Sequence, residues 1–219
     1  MWLILLLVML FLPIMASVKV KTTFAKYSTV RNARGLTADQ VARQILDSNG
    51  LYNVGIERIP GNLSDHYDPQ ANVVRLSESV YGQTSVAAIG VAAHECGHAC
   101  QHAEEYTPIK IRTSLVPVTN FCSKFWYFAF ILGYLISIEF VWAGIIMFGA
   151  VVLFQLVTLP VEFDASGRAL KTLERDCILD SDEIGGAKKV LTAAAMTYVT
   201  ALVVSIIQLL RLLASTRRR

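Results

Sequence analysis

Charge is scarce in this chain. Lysine, arginine, aspartate and glutamate make up 17% of the 219 residues, against a hydrophobic share of 54% and a mean hydropathy of +0.48. A soluble domain of this size seldom has that balance. The net charge of +3 is small and spread out; it nowhere forms a basic patch interleaved with aromatics, so nucleic-acid binding has no support. Cysteine is sparse as well. Cys96, Cys100, Cys122 and Cys177 show neither a disulfide framework nor a zinc-ribbon spacing. Free thiols fit a reducing compartment. There is no internal repeat and no low-complexity segment.

Long apolar runs account for the composition. Residues 1–18 are apolar and are followed by Lys19, Lys21, Lys26, Arg31 and Arg34. The run lacks the positive n-region of a secretory signal, so an uncleaved N-terminal membrane helix is expected. The stretch from Phe125 to Val161 would measure about 55 Å as one helix, against a hydrocarbon core of about 30 Å. Glu139 is its only charge, and a charge at a bilayer midplane is expensive. A helical hairpin over 116–161, turning near Ser137 to Glu139, is therefore expected. A final run at 190–213 is either a fourth crossing or a helix on the membrane surface, and it precedes Arg217, Arg218 and Arg219.

Between these runs, residues 35–106 read as a water-facing domain. Thr37 and Gln40 have capping-box spacing and open a helix that ends near Gly50. Tyr52–Ile59, Leu63–Tyr67 and Asn72–Leu76 suggest a small sheet of two or three antiparallel strands, with Asn72–Ser77 as an edge where an extended peptide could pair. A polar segment at 162–189 follows the hairpin, with Gly185-Gly186 as an expected break.

The chemistry is concentrated in Ala93-His-Glu-Cys-Gly-His98. Positions i and i+4 lie on one face of a helix, so His94 and His98 can reach one metal ion. Glu95 sits beside that face, close enough to act on a water without itself ligating the metal. The preceding Thr84–Ala93 run is apolar and alanine-rich, and burying two histidines and a glutamate there is costly unless something satisfies them. Cys96 and Cys100 follow the histidines by two residues and so point away from the metal.

Three places could supply a third ligand. His102 continues the spacing but lies about 12 Å from His94 along a straight helix. Asp65, His66 and Asp68 fall on a strand and turn. Glu162 is the strongest candidate, because two crossings between His98 and Glu162 return the chain to the same membrane face.

Asp65-His-Tyr-Asp-Pro69, Val73-Val-Arg-Leu-Ser77, Ala93–His102, Pro160-Val-Glu-Phe-Asp-Ala-Ser166 and Ala187-Lys-Lys-Val-Leu191 together span nearly the whole chain. In them the sequence resembles the membrane neutral zinc metallopeptidases of the YugP-like family. The resemblance implies a multi-pass bacterial membrane protein that holds one zinc through His94, His98 and Glu162, with Glu95 catalytic. More distantly it is similar to the HtpX and CAAX prenyl protease group, whose members carry an aspartate four residues after the glutamate ligand. Here that position is Ser166, and Asp164 stands at +2.

The expected fold is a mainly α membrane protein, a gluzincin-like core of metal-binding helix and small antiparallel sheet fused to about four membrane helices. The expected function is a zinc endopeptidase acting on peptides or membrane proteins, with His66, Tyr67 and Tyr198 as oxyanion or substrate candidates and Asp164 as a partner for a ligating histidine. The alternatives are a non-catalytic membrane scaffold with structural zinc, and a transporter using Glu139. Basic residues after the first helix, together with Arg168, Lys171, Arg175, Lys188 and Lys189, place the catalytic side in the cytoplasm; Arg217–Arg219 oppose this if the last run crosses.

Overall fold

The computed structural model describes residues 2–216; Arg217–Arg219, whose charges bear on orientation, lie outside them. The elements follow in the order α1 (Trp2–Ser28), α2 (Ala38–Ser48), β1 (Gly55–Ile59), β2 (His66–Asp68), β3 (Val73–Ser77), α3 (Val86–Ala103), α4 (Thr107–Leu135), α5 (Ile138–Arg175) and α6 (Ser181–Thr216). Helices α1, α4, α5 and α6 are each long and apolar enough to cross a membrane. The chain divides into two compact units. One comprises the described parts of Met1–Ala16, Thr107–Pro160 and Thr197–Arg219; the other comprises Ser17–Tyr106 and Val161–Met196.

In the first unit the hairpin turns at Ile136 and Ser137, between α4 and α5. Glu139 lies exposed in the first turn of α5, where a carboxylate complements the helix N-terminus. The two arms meet through small residues. A Cβ on Gly133 would collide with the Val141 backbone nitrogen, and one on Gly144 would stand 2.8 Å from Phe130 N and Trp126 O. Close backbone approach of this kind is how helices associate in lipid. Trp126 and Phe148 then pack with ring centroids 4.7 Å apart.

The second unit holds a buried core formed by α2, α3, β3 and parts of α5 and α6. Ile45, Leu46, Leu76, Ile89 and Leu173 are its large members, each worth about 1.5–3 kcal/mol of burial. Helix α2 opens with the expected box, Gln40 Oε1 accepting from Thr37 N–H at 3.0 Å. It ends at Asn49 and Gly50, whose φ of +73° suits glycine. Helix α3 opens on Ser85, whose Oγ accepts from Ala88 N–H at 3.2 Å.

The sheet differs from expectation. Its order is β1-β3-β2, with β3 antiparallel to β2 but parallel to β1. The chain reverses twice between β1 and β3, so these two strands run in the same direction, and β2 is displaced to the outside. Alternation of side chains reports burial but not strand direction. Strand β3 is consequently central and offers no free edge, which corrects the reading of Asn72–Ser77 as the peptide-pairing edge. The expected break at Gly185-Gly186 is also absent, for both lie inside α6. Gly186 serves close packing instead: a Cβ there would lie 2.9 Å from the Tyr27 ring and 3.1 Å from Val86. The polar stretch from 162 to 189 is mostly helical, the end of α5 and the start of α6.

Candidate metal centre

Helix α3 carries His94 and His98 one turn apart, with ring centroids 4.7 Å from each other. Helix α5 crosses α3 at Gly97. A Cβ on Gly97 would stand 2.7 Å from Ala165 O and 3.2 Å from Ala165 Cα, so only glycine permits this approach. The crossing lays the first turns of α5 after Pro160 beside the histidines. Glu162 Oε2 lies 3.4 Å from His94 Nε2 and 3.7 Å from His98 Nε2. The potential ligand atoms of His94, His98 and Glu162 all fall within 4.8 Å of one another, in a site where Glu162 is 3% exposed.

Each histidine is held from behind. His98 Nδ1 lies 3.0 Å from Gln101 Oε1, an acceptor, so Nδ1 carries the proton and Nε2 keeps its lone pair toward Glu162. Gln101 is fully buried. Its Nε2 donates to Val161 O at 2.9 Å and to Asp164 Oδ2 at 2.8 Å. His94 Nδ1 lies 3.1 Å from Ser166 Oγ. The residue at +4 from Glu162 thus contacts a histidine ring although it is serine rather than aspartate. Asp164 reaches His98 only through Gln101, and it also accepts from Arg168 Nε. Burial works against the His98 cation, but the neighbouring Glu162 and Glu95 carboxylates outweigh it and raise its pKa above the usual value.

Two nitrogen donors and a carboxylate oxygen converging from two helices, with both Nδ1 atoms engaged elsewhere, match the His/His/Glu donor set of a catalytic zinc site. No cysteine takes part: Cys96 is buried on the far side of α3, where Sγ donates to Ala42 O at 3.6 Å.

Glu95 is 8% exposed and its Oε2 accepts from the Tyr67 backbone N–H at 3.0 Å. That bond ties strand β2 to the metal-binding helix. The other candidates are placed as follows. Tyr67 donates its hydroxyl to Asn72 Oδ1 at 3.0 Å, and its ring packs 5.5 Å from that of His102 in the last turn of α3. His66 is exposed, with Nδ1 2.9 Å from Ser64 O. Asp65 accepts from Ser77 N–H at 2.7 Å and Ser77 Oγ–H at 2.9 Å, fastening β3; burial raises its pKa despite these bonds. Tyr198 belongs to the other unit, on α6. Gln101 and Gly97 were invisible as site residues in the sequence. Gln101 follows His98 by three residues, which is one helical neighbour, and that spacing was the available signal.

The family pattern described as "Putative neutral zinc metallopeptidase" matches residues 2–217. The chain is 49% identical over 197 residues to "Putative membrane protease YugP" of Bacillus subtilis (strain 168), covering 90% of this chain and 88% of that protein. No solved structure matches it. Zinc is the cofactor this family implies, and His94, half-buried, together with the buried His98 and Glu162 is positioned to bind it. The chain belongs to the neutral zinc metallopeptidase family.

Proposed function

We propose that this protein is a membrane-anchored, gluzincin-type zinc endopeptidase holding one zinc per chain through His94, His98 and Glu162. The observation that carries the reading is the convergence of these three side chains beside Glu95, whose carboxylate is held against the sheet by Tyr67 N–H. A zinc ion bound there supplies Lewis acidity toward water and the scissile carbonyl. Glu95 takes the proton from the attacking water and returns it to the leaving amine. Gln101 and Ser166 keep the imidazoles turned so that their Nε2 atoms face Glu162. The peptide lies along β2, the edge strand next to Glu95, because main-chain pairing positions an extended substrate independently of its side chains.

Metal analysis of detergent-purified protein tests the ligand set. Wild type is expected to hold one zinc per chain and to hydrolyse a fluorogenic unfolded polypeptide, with a chelator stopping the reaction and added zinc restoring it. Glu162→Ala is expected to lose the metal on dialysis. Equal zinc in both proteins would remove Glu162 from the site.

The active side is cytoplasmic in this reading, in the bacterial cell membrane. Lys19, Lys21, Lys26, Arg31, Arg34, Arg168, Lys171, Arg175, Lys188 and Lys189 all belong to the unit that carries the site, and positive residues favour the cytoplasmic face. Cys177 reports on this directly, as the one exposed thiol among the four and in the same unit. A membrane-impermeant maleimide is expected to leave it unlabelled in intact cells and to label it after lysis. Labelling of intact cells would reverse the orientation.

A further inference from the structure

A cavity of about 500 Å³, lined by none of His94, His98 and Glu162, lies between the end of α1 and the start of α6. Lys19 and Lys26 enter it from α1 and Lys189 from α6. Three lysines therefore line it from segments about 165 residues apart in the chain, and among the described residues none of them is in an ion pair with a carboxylate. Tyr27 lies between two of them, with Lys26 Nζ 5.7 Å and Lys189 Nζ 5.9 Å from its ring centroid. The ring reaches this position because Gly186 leaves room for it. Thr23 and Thr192 add hydroxyls to the same wall.

The position of the cavity along the helices indicates what it takes. The apolar run of α1 ends at Val18, immediately before Lys19, and that of α6 begins at Val190, immediately after Lys189. Val18 is 53% exposed, and Met196, which lines the cavity, is 47% exposed. Large apolar side chains left open beside a basic cavity, on helices long enough to span a bilayer, mark the level where lipid headgroups meet acyl chains. A volume of this size admits a phosphodiester headgroup.

We propose that this cavity binds the phosphate headgroup of an anionic phospholipid. The lysines neutralise the phosphodiester, Thr23 and Thr192 donate hydrogen bonds to its oxygens, and Val18 and Met196 face the acyl chains. The site is independent of the metal centre, so its test does not depend on catalysis.

The experiment is native mass spectrometry of the full-length protein in detergent, titrated with phosphatidylglycerol, phosphatidylcholine or inorganic phosphate. Wild type is expected to retain phosphatidylglycerol in preference to phosphatidylcholine, and excess inorganic phosphate is expected not to displace it. The triple variant Lys19→Gln, Lys26→Gln, Lys189→Gln is expected to bind phosphatidylglycerol at least about 10-fold more weakly. A control triple outside the cavity, Lys21→Gln, Lys171→Gln, Lys188→Gln, loses the same charge and is expected to bind as wild type. Thr192→Phe, which fills the cavity without altering charge, is expected to weaken binding as well. Equal loss in the two triples would mean diffuse attraction to a charged surface. No preference over phosphatidylcholine, undiminished binding by Thr192→Phe, or displacement by inorganic phosphate would each overturn the assignment.

Discussion

Glu95→Gln, purified with its zinc, is expected to hydrolyse peptides about 10²–10⁴-fold more slowly than wild type, the range for losing a positioned general base. Glutamine matches glutamate in size, and its amide oxygen can still accept from Tyr67 N–H, so the bond from β2 to α3 survives. The amide cannot take a proton from water. Metal content and thermal stability are therefore expected to stay at wild-type values while initial rates collapse. That split separates Glu95 from the proposed ligands, whose removal is expected to take the metal and the activity together. Full activity in this variant would end the assignment of Glu95 as base, and a wild type that binds zinc but hydrolyses nothing would turn the reading toward a scaffold.

Gly97→Ala is expected to damage the site from a position that touches no metal. The new methyl would stand 2.7 Å from Ala165 O and 3.2 Å from Ala165 C and Cα. All three are backbone atoms, so no side chain can turn aside and α5 itself must shift. Overpacking of this kind costs about 1–3 kcal/mol. Because Glu162 and Ser166 ride on the same turns of α5 as Ala165, both contacts to the histidines move together. Zinc affinity is expected to fall about 10–100-fold, the usual effect of misplacing a ligand's support. Gly167→Ala is the matched control: it makes the same chemical change on α5, with nothing within 4 Å of the new methyl. It is expected to leave zinc binding unchanged and to stabilise the helix by about 0.5–1 kcal/mol. Affinity measured by chelator competition reads both variants, and equal behaviour would mean the crossing does not set the site.

Much of the site was legible because it obeys short-range geometry. Four residues between His94 and His98 place both rings on one helix face whatever surrounds them. An apolar run of some 37 residues cannot stay in a 30 Å layer as one straight helix, and the observed turn at Ile136 and Ser137 answers that mismatch. The placement of Glu162 beside the histidines agrees with counting crossings, since an even number returns the chain to its starting side. The sheet was less legible. Its strands were located within a few residues, but their directions were misread, because alternation along β1, β2 and β3 is the same whether a neighbour runs parallel or antiparallel.

Local rules also misjudged the glycines. Gly185-Gly186 looked like a helix break, yet both lie within α6, and Gly186 gives Tyr27 room against it. Gly97 carries no local signal within the histidine motif, and it is where two helices touch. The conformational freedom of glycine is a property of one residue, whereas its lack of a Cβ matters only once a partner arrives.

By itself the sequence determined the helices, their membrane-spanning lengths and the facing pair of histidines, all consequences of the period and rise of an α-helix over adjacent residues. Tertiary structure alone decided which atoms complete the site. Gln101 behind His98, Ser166 behind His94, Tyr67 N–H on Glu95 and three lysines around one cavity depend mostly on segments tens to more than a hundred residues apart. Such contacts exist only where packed backbones bring them within hydrogen-bonding or van der Waals distance, and no periodicity along the chain encodes that distance.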